Sequence, residues 1–440
     1  MAGGLAAGLQ PGDLVVANEL RSTESNDAQR LPAAQLLGAE FRRAGLGVHV
    51  GPLVSSPRYV RGGERAALAE SGALAVDMES AWVMGTLADH PLAVVRAISD
   101  TTERGPVLGG ARALGSLLAV RAVLERWAGA CGQHDVILAS PRSFCAGVER
   151  AIETVERALE RYGAPVYVRR QIVHNLHVVR DLESKGAVFV EEIDDVPPHA
   201  VVVLAAHGVS PLVRRQAAER GDLKVIDATC PLVAKVHSEA RRYANQDYHL
   251  VLIGHAEHEE IVGTLGEAPD RFHLVENVGD VGRLELDPDH PVAYLTQTTL
   301  ATDETAEIIA ALRSRFPSLT APPADDICYA TQNRQDAVRM IAHRCDLLLV
   351  VGSQNSSNTA RLVEVARREG CRAELVEDAS QLELGWLAGA RTIGLTAGAS
   401  APDVLVREVL DTLGSLGPVR LSEERSTEET VRFALPTQVR

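Results

Sequence analysis

The sequence predicts an α/β protein: three similar modules of sheet and helix, preceded by a smaller α/β segment of different character. Two observations predict it. From residue 136 onward, short runs rich in Val, Leu and Ile alternate with amphipathic stretches without a break, the pattern of parallel strands covered on both faces. One arrangement also recurs three times at near-equal spacing: a cysteine at a strand-to-helix corner, at Cys145, Cys230 and Cys328. Such repetition suggests related units, each delivering one thiol.

In the first segment, residues 13–17, 47–51 and 92–98 read as strands, and 31–44 and 111–130 as helices. Two motifs stand out, Asp77-Met78-Glu79-Ser80 and Arg96-Ala97-Ile98-Ser99-Asp100. They resemble the C-terminal half of the nucleoside phosphorylase and nucleosidase superfamily. That resemblance implies Glu79 on ribose hydroxyls and Asp100 as the acid for the departing base. It stops at half a fold, because the family's opening strands and glycine-rich phosphate loop have no counterpart. A half-sheet of this kind would expose a long edge. Residues 1–133 therefore read as a truncated, catalytically silent domain that could serve docking or assembly. Nucleosidase activity is the alternative, and 132–135 reads as the junction.

Residues 134–436 carry the modules, at approximately 147–230, 231–327, and 135–146 joined to 328–415; residues 416–440 read as a tail. Residues 136–139 form a strand that turns into Cys145, and the helix beyond it carries Val148, Ile152, Val155, Leu159 and Tyr162 on one stripe. Residues 224–229 lead to Cys230, followed by Pro231, which suits a first helical position. Cys328 opens a helix bearing Val338 and Ile341. Further strands fall at 166–168, 201–206, 249–253, 293–296, 347–351 and 392–395, and helices at 301–316, 359–369 and 402–413.

Their carboxyl ends, where function gathers in such sheets, are consistently polar. They read His207-Gly208, Gly254-His255-Ala256-Glu257-His258-Glu259-Glu260, Thr296-Gln297-Thr298-Thr299, Gly352 through Asn358, and Thr396 through Ser400. His174 and Asn175 sit at another helix start. Glycine with hydroxyls, amides and imidazoles at helix N-termini is what an anion site requires. His237 and His343 lie within helices and read as packing residues, and His177 as a surface residue. In the tail, Val431 and Phe433 are the residues able to dock.

Composition narrows the partners. A formal net charge of −15 argues against nucleic acid and is compatible with a basic or small electron donor. No run of apolar residues is long enough to span a bilayer. The opening residues lack a charged signal region, so a reducing cytoplasm is expected. Six cysteines in 440 residues are no disulfide framework; Cys131, Cys345 and Cys371 read as packing thiols. Each corner cysteine lies near a helix N-terminus, which favours a thiolate. Three convergent thiolates suit a zinc completed by histidine, or an iron–sulfur cube with one iron left to the substrate.

With these motifs together, residues 136 to about 434 resemble the family of 4-hydroxy-3-methylbut-2-enyl diphosphate reductases (LytB/IspH). The resemblance is carried by Pro141 through Val148, Val173-His174-Asn175, Ala206 through Ser210, Asp227 through Val233, Thr296 through Leu300, Asp326 through Thr331, Gly352 through Asn358 and Thr396 through Asp403. It implies a trefoil around one [4Fe–4S] cluster per chain, held by Cys145, Cys230 and Cys328. It implies a diphosphate held by His174, His207, His258, Ser356, Ser357, Asn358 and Ser400, with Thr298 and Thr299 also among the substrate-binding residues. Glu260 and Thr298 would deliver protons, and electrons would come from a ferredoxin or flavodoxin. The products implied are isopentenyl and dimethylallyl diphosphate. A non-catalytic iron–sulfur or zinc sensor is the other reading. The family's His-Pro-Glu is His258-Glu259-Glu260 here, and Glu259 is expected to face solvent.

Overall fold

The computed structural model describes residues 1–25, 27–84, 90–101, 106–287 and 290–440. The first segment forms β1 (Ala2–Gly4), β2 (Leu14–Ser22), β3 (Ala28–Arg30), β4 (Val48–Ser55), β5 (Ala75–Asp77) and β6 (Val95–Asp100). Their order is β3-β2-β4-β5-β1-β6, and β6 pairs with β2 as well. The nine-residue β2 makes this possible. Its first residues pair with β6, Leu14 opposite Ala97 and Val16 opposite Val95, while Glu19 and Arg21 pair with β3. The ladder therefore closes on itself, and the long edge expected of a half-sheet is absent among the described residues. The helix expected over 111–130 is two, Pro106–Ala119 and Arg121–Ala130, interrupted at Val120.

The rest of the chain builds three wholly parallel sheets. The first uses β8 (Val166–Arg169), β9 (Ala187–Val190), β10 (Val201–Leu204) and β11 (Lys224–Asp227), after β7 (His134–Ser140), which joins the third sheet. Their order is β11-β10-β8-β9. The second uses β12 (His249–Ile253), β13 (Phe272–Val275) and β14 (Val292–Thr296), in the order β13-β12-β14. The third uses β15 (Leu347–Val351), β16 (Ala373–Val376), β17 (Thr392–Ala397) and β18 (Val419–Arg425) with β7, in the order β16-β15-β17-β7-β18. Fold class and threefold organisation are as expected. Strands β14 and β15 are buried at every position, which is why they read as unbroken apolar runs.

In these three sheets β9, β13, β16 and β18 lie outside the expected strands, as β1, β3 and β5 do in the lobe. The four lie at sheet edges; polar residues interrupt β13, β16 and β18, whereas β9 is an unbroken Ala-Val-Phe-Val run. Strand β18 reshapes the expected tail, since it pairs with β7 along its whole length, from Val419 opposite His134 to Arg425 opposite Ser140.

The N-terminal lobe is fused to the third sheet by a shared core. Leu14, Val16, Leu36, Leu37 and Phe41 belong to one buried cluster with Leu347, Leu349, Leu382 and Leu384. A buried carboxylate crosses the seam: Glu40 accepts from the Leu384 backbone N–H at 3.2 Å and pairs with Arg43 at 2.8 Å and Arg126 at 3.1 Å. Among the described residues no helix is long and apolar enough to cross a membrane.

Candidate active site

All three corner cysteines are helix N-caps. Cys145 caps Ala146–Tyr162, Cys230 caps Pro231–Asn245 with Pro231 in the first turn, and Cys328 caps Tyr329–Ala342. The first two follow strands as expected. Cys328 does not: a loop precedes it, with only an isolated bridge from Thr320 to Ala293. All three line one cavity. Gly147 shows how closely two corners approach, since a Cβ there would lie 2.8 Å from the Cys230 sulfur and 3.8 Å from that of Cys145. Only glycine allows this proximity.

Cys230 and Cys328 are not acidified by their helices. Burial, reinforced by the neighbouring thiols, pushes Cys230 up to about 12 and Cys328 up to about 11. Helix N–H groups of Leu232 and Val233 favour the Cys230 thiolate, but desolvation outweighs them. Thiols raised in this way ionise only when a cation compensates them. Thr331 supports Cys328, its Oγ1 lying 3.1 Å from the sulfur and its N–H donating at 3.4 Å. Thr331 was overlooked, although its place three residues after the N-cap signals a capping contact.

Across the cavity, Glu260 is buried and accepts from the Thr298 N–H at 2.7 Å and the Thr298 hydroxyl at 2.9 Å. Burial raises its carboxyl to about 7 against those two hydrogen bonds, so it holds or releases a proton near neutral pH. The same loop ties this acid to a cysteine corner, because the Cys328 N–H donates to the Thr298 carbonyl at 3.0 Å.

Three imidazoles form the next wall. His174 stacks on His207 at 4.0 Å between ring centroids, and His258 meets their edges at 5.3 and 5.8 Å. Burial lowers His174 to about 4 and His258 to about 3, and lowers His207 well below its ordinary value. The Glu260 N–H donates to His258 Nδ1 at 3.2 Å, which leaves the His258 proton on Nε2. Buried His174 Nε2 and His207 Nδ1 have no hydrogen-bond partner among the described residues. Unpaired polar atoms lining a cavity mark a place for a polar ligand.

The cradle closes with hydroxyls and an amide. Ser356 caps the helix Ser357–Arg368. Ser400 Oγ lies 3.3 Å from Ser356 Oγ and donates to the His174 carbonyl at 3.0 Å. Asn358 donates to Thr331 at 3.1 Å and accepts from the Ala399 N–H at 2.8 Å. Gln297 donates to Thr299 at 2.9 Å and Ser357 at 3.2 Å. Thus every site residue read from the sequence lines this cavity: the three cysteines, Glu260, Thr298, Thr299, His174, His207, His258, Ser356, Ser357, Asn358 and Ser400.

Other residues sort differently. Glu259 is half-buried rather than turned to solvent, and it pairs with Arg170 at 3.3 Å outside the cavity lining. His237 is buried as expected for packing, bonded to Glu267 at 2.8 Å; it sits against Gly208, whose added Cβ would lie 3.1 Å from its ring nitrogen. His177 is exposed as expected, His343 is an exposed helix C-cap rather than a packing residue, and Cys345 and Cys371 pack inside the third sheet's core. In the lobe, both Asp100 oxygens are occupied, Oδ2 by Arg65 at 2.8 Å and Tyr59 at 3.2 Å, Oδ1 by Ser99 at 2.9 Å. Glu79 is 65% exposed and faces Arg96 at 3.3 Å.

Parallel α/β modules that meet at a thiol-, acid- and imidazole-lined cavity define an enzyme of redox or metal-assisted chemistry on a small anion. The sequence profile described as LytB protein matches residues 136–414, and that described as Phosphorylase superfamily matches residues 1–134. The chain belongs to the LytB protein family. It is 58% identical over 313 residues to the 4-hydroxy-3-methylbut-2-enyl diphosphate reductase of Cutibacterium acnes, covering 71% of this chain and 97% of the relative. The Mycolicibacterium paratuberculosis reductase is 57% identical over 306 residues, covering 69% and 92%. The solved structure of the E-1-hydroxy-2-methyl-but-2-enyl-4-diphosphate reductase from Plasmodium falciparum superposes with a TM-score of 0.67 at 38% identity, covering 70% of this chain and 97% of that one.

Proposed function

We propose that the chain reduces (E)-4-hydroxy-3-methylbut-2-enyl diphosphate to isopentenyl and dimethylallyl diphosphate with release of water, the last step of the non-mevalonate isoprenoid pathway. The observation that carries this reading is the meeting of three N-cap thiols, a neutral-pH acid and a histidine–serine–asparagine cradle in one cavity. Cys145, Cys230 and Cys328 line one cavity and would hold a [4Fe–4S] group. When bound, that group supplies two electrons, one at a time, and a Lewis-acidic iron.

The chain's own residues supply position and protons. His174, His207, His258, Ser356, Ser357, Asn358 and Ser400 hold the diphosphate, and Thr299 lines the cavity beside Thr298. Two protons are consumed, one leaving with the hydroxyl as water and one ending on carbon. Glu260 holds the mobile proton at its carboxyl, and Thr298 orients it. The electrons come from outside the chain, from a ferredoxin or flavodoxin.

Anaerobic reconstitution with iron and sulfide tests the reading. About four irons and four sulfides per chain are expected, with a paramagnetic resonance signal that changes when the substrate is added. One zinc per chain, or turnover without reductant, would sink it.

The imidazoles make a second prediction. Their buried rings are neutral at pH 7 without an anion, and a bound diphosphate favours the charged form. Binding inorganic diphosphate should therefore take up protons, and affinity should fall as pH rises. Calorimetry in two buffers of different ionisation heat measures the uptake; identical heats in both would refute it.

A further inference from the structure

The chain between Ser426 and Pro436 has neither helix nor strand, so no ladder of its own holds it in place. Side chains hold it instead, and they come from the cysteine corners. Arg334, on the helix that Cys328 caps, is wholly buried and forks two ways. On one side it donates to the Ser143 carbonyl at 2.7 and 3.1 Å and to the Phe144 carbonyl at 3.3 Å. Those carbonyls belong to the turn that presents Cys145. On the other side it reaches both oxygens of Glu429, at 2.9 and 3.3 Å.

Arg150 does the same for the next pair of corners. It lies one turn into the helix that Cys145 caps. Its Nη1 donates to the Ala228 and Thr229 carbonyls, both at 3.0 Å, in the turn that presents Cys230. Its Nε donates to the Ala434 carbonyl at 2.8 Å. The end of the segment is pinned apolarly: Leu435 and Val439 pack into the core of the first sheet, rather than Val431, which is 42% exposed.

The turn needs such support. Ser143 has φ 60°, a left-handed backbone that non-glycine residues adopt at a cost. A guanidinium fork on two carbonyls holds such a turn better than any single donor. Buried Arg334 in turn needs the Glu429 carboxylate, because an unpaired buried charge is strongly unfavourable.

We propose that residues 426–440 act as a strap that fixes the three cysteine corners relative to one another, with Arg334 and Arg150 as positioning residues. Arg334 joins the Cys328 helix to the Cys145 turn, Arg150 joins the Cys145 helix to the Cys230 turn, and the strap clamps both guanidinium groups. The proposal rests on the reading that these thiols share one cluster.

The test uses the full-length chain, iron-free and reduced, and follows alkylation of each cysteine by mass spectrometry. With Glu429→Gln, Cys145 should react about tenfold faster, the expected result of weakening a charge-assisted contact that limits local opening. Cys345 and Cys371, which pack inside the third sheet's core and touch no residue of 426–440 through a hydrogen bond among the described residues, serve as internal controls and should be unchanged. With Arg150→Met, the acceleration should move to Cys230. An unchanged Cys145 in Glu429→Gln, or all six cysteines reacting faster together, would overturn the strap. A variant that recovers poorly is replaced by Glu429→Asp, for which a smaller acceleration confined to Cys145 is expected and its absence again counts against the strap. Labelling needs no iron, so a wild-type chain that binds no cluster defeats the functional reading without affecting this measurement.

Discussion

Glu260→Gln should retain the iron–sulfur group and lose turnover by about 10²- to 10⁴-fold, the usual worth of a positioned general acid. Glutamine keeps the volume and still accepts from the Thr298 N–H, so thermal stability and iron content should stay near wild type. What it lacks is a proton that can leave. The wild-type rate should also carry this group's signature. Its carboxyl is raised to about 7 by burial, so the proton-bearing form dominates below that pH and is lost above it. Turnover limited by proton delivery should decline above about pH 7, and the variant should lack that limb. Near-normal turnover in Glu260→Gln would remove this residue from its role.

Cys230→Ser should abolish the loaded state altogether. A hydroxyl is nearly the same size but is a harder ligand and stays protonated at neutral pH, so it cannot replace a thiolate. After anaerobic reconstitution, iron per chain should fall to near background, and activity with it. Cys345→Ser and Cys371→Ser should keep full iron content, since both thiols pack inside the third sheet's core. Full iron in Cys230→Ser would mean that the cluster sits elsewhere.

The site was more legible in the sequence than the frame around it, for physical reasons. Cysteines before helical stripes and polar residues after Val/Leu runs are local signals, and α/β geometry gathers strand ends at one place. That gathering brought His174, Glu260, Ser356 and Cys230 to one cavity from distant stretches. Electrostatics was not legible: helix ends argue for acidic thiols, but burial dominates at Cys230 and Cys328, and burial is a property of the assembled modules. Glu259 was misplaced for the same reason, because its partner Arg170 comes from another module's loop. The edge strands β13, β16 and β18 are hidden because His273, Glu374 and Ser422 interrupt their partly exposed runs, whereas the apolar run of β9, Ala187–Val190, was legible. Closure of the lobe was hidden because it depends on β2 being long enough to serve two neighbours.

The seam beneath the lobe has one more consequence. Leu36, Leu37 and Phe41 are as deeply interred against Leu347, Leu349 and Leu384 as residues of any single core, and Glu40 and Arg43 bond backbone groups on the far side. Severing the polypeptide near residue 133 would therefore not liberate two soluble halves; it would bare matching greasy walls on each. The lobe and the three sheets behave as one cooperative body, and a calorimeter should record a single endotherm for the whole.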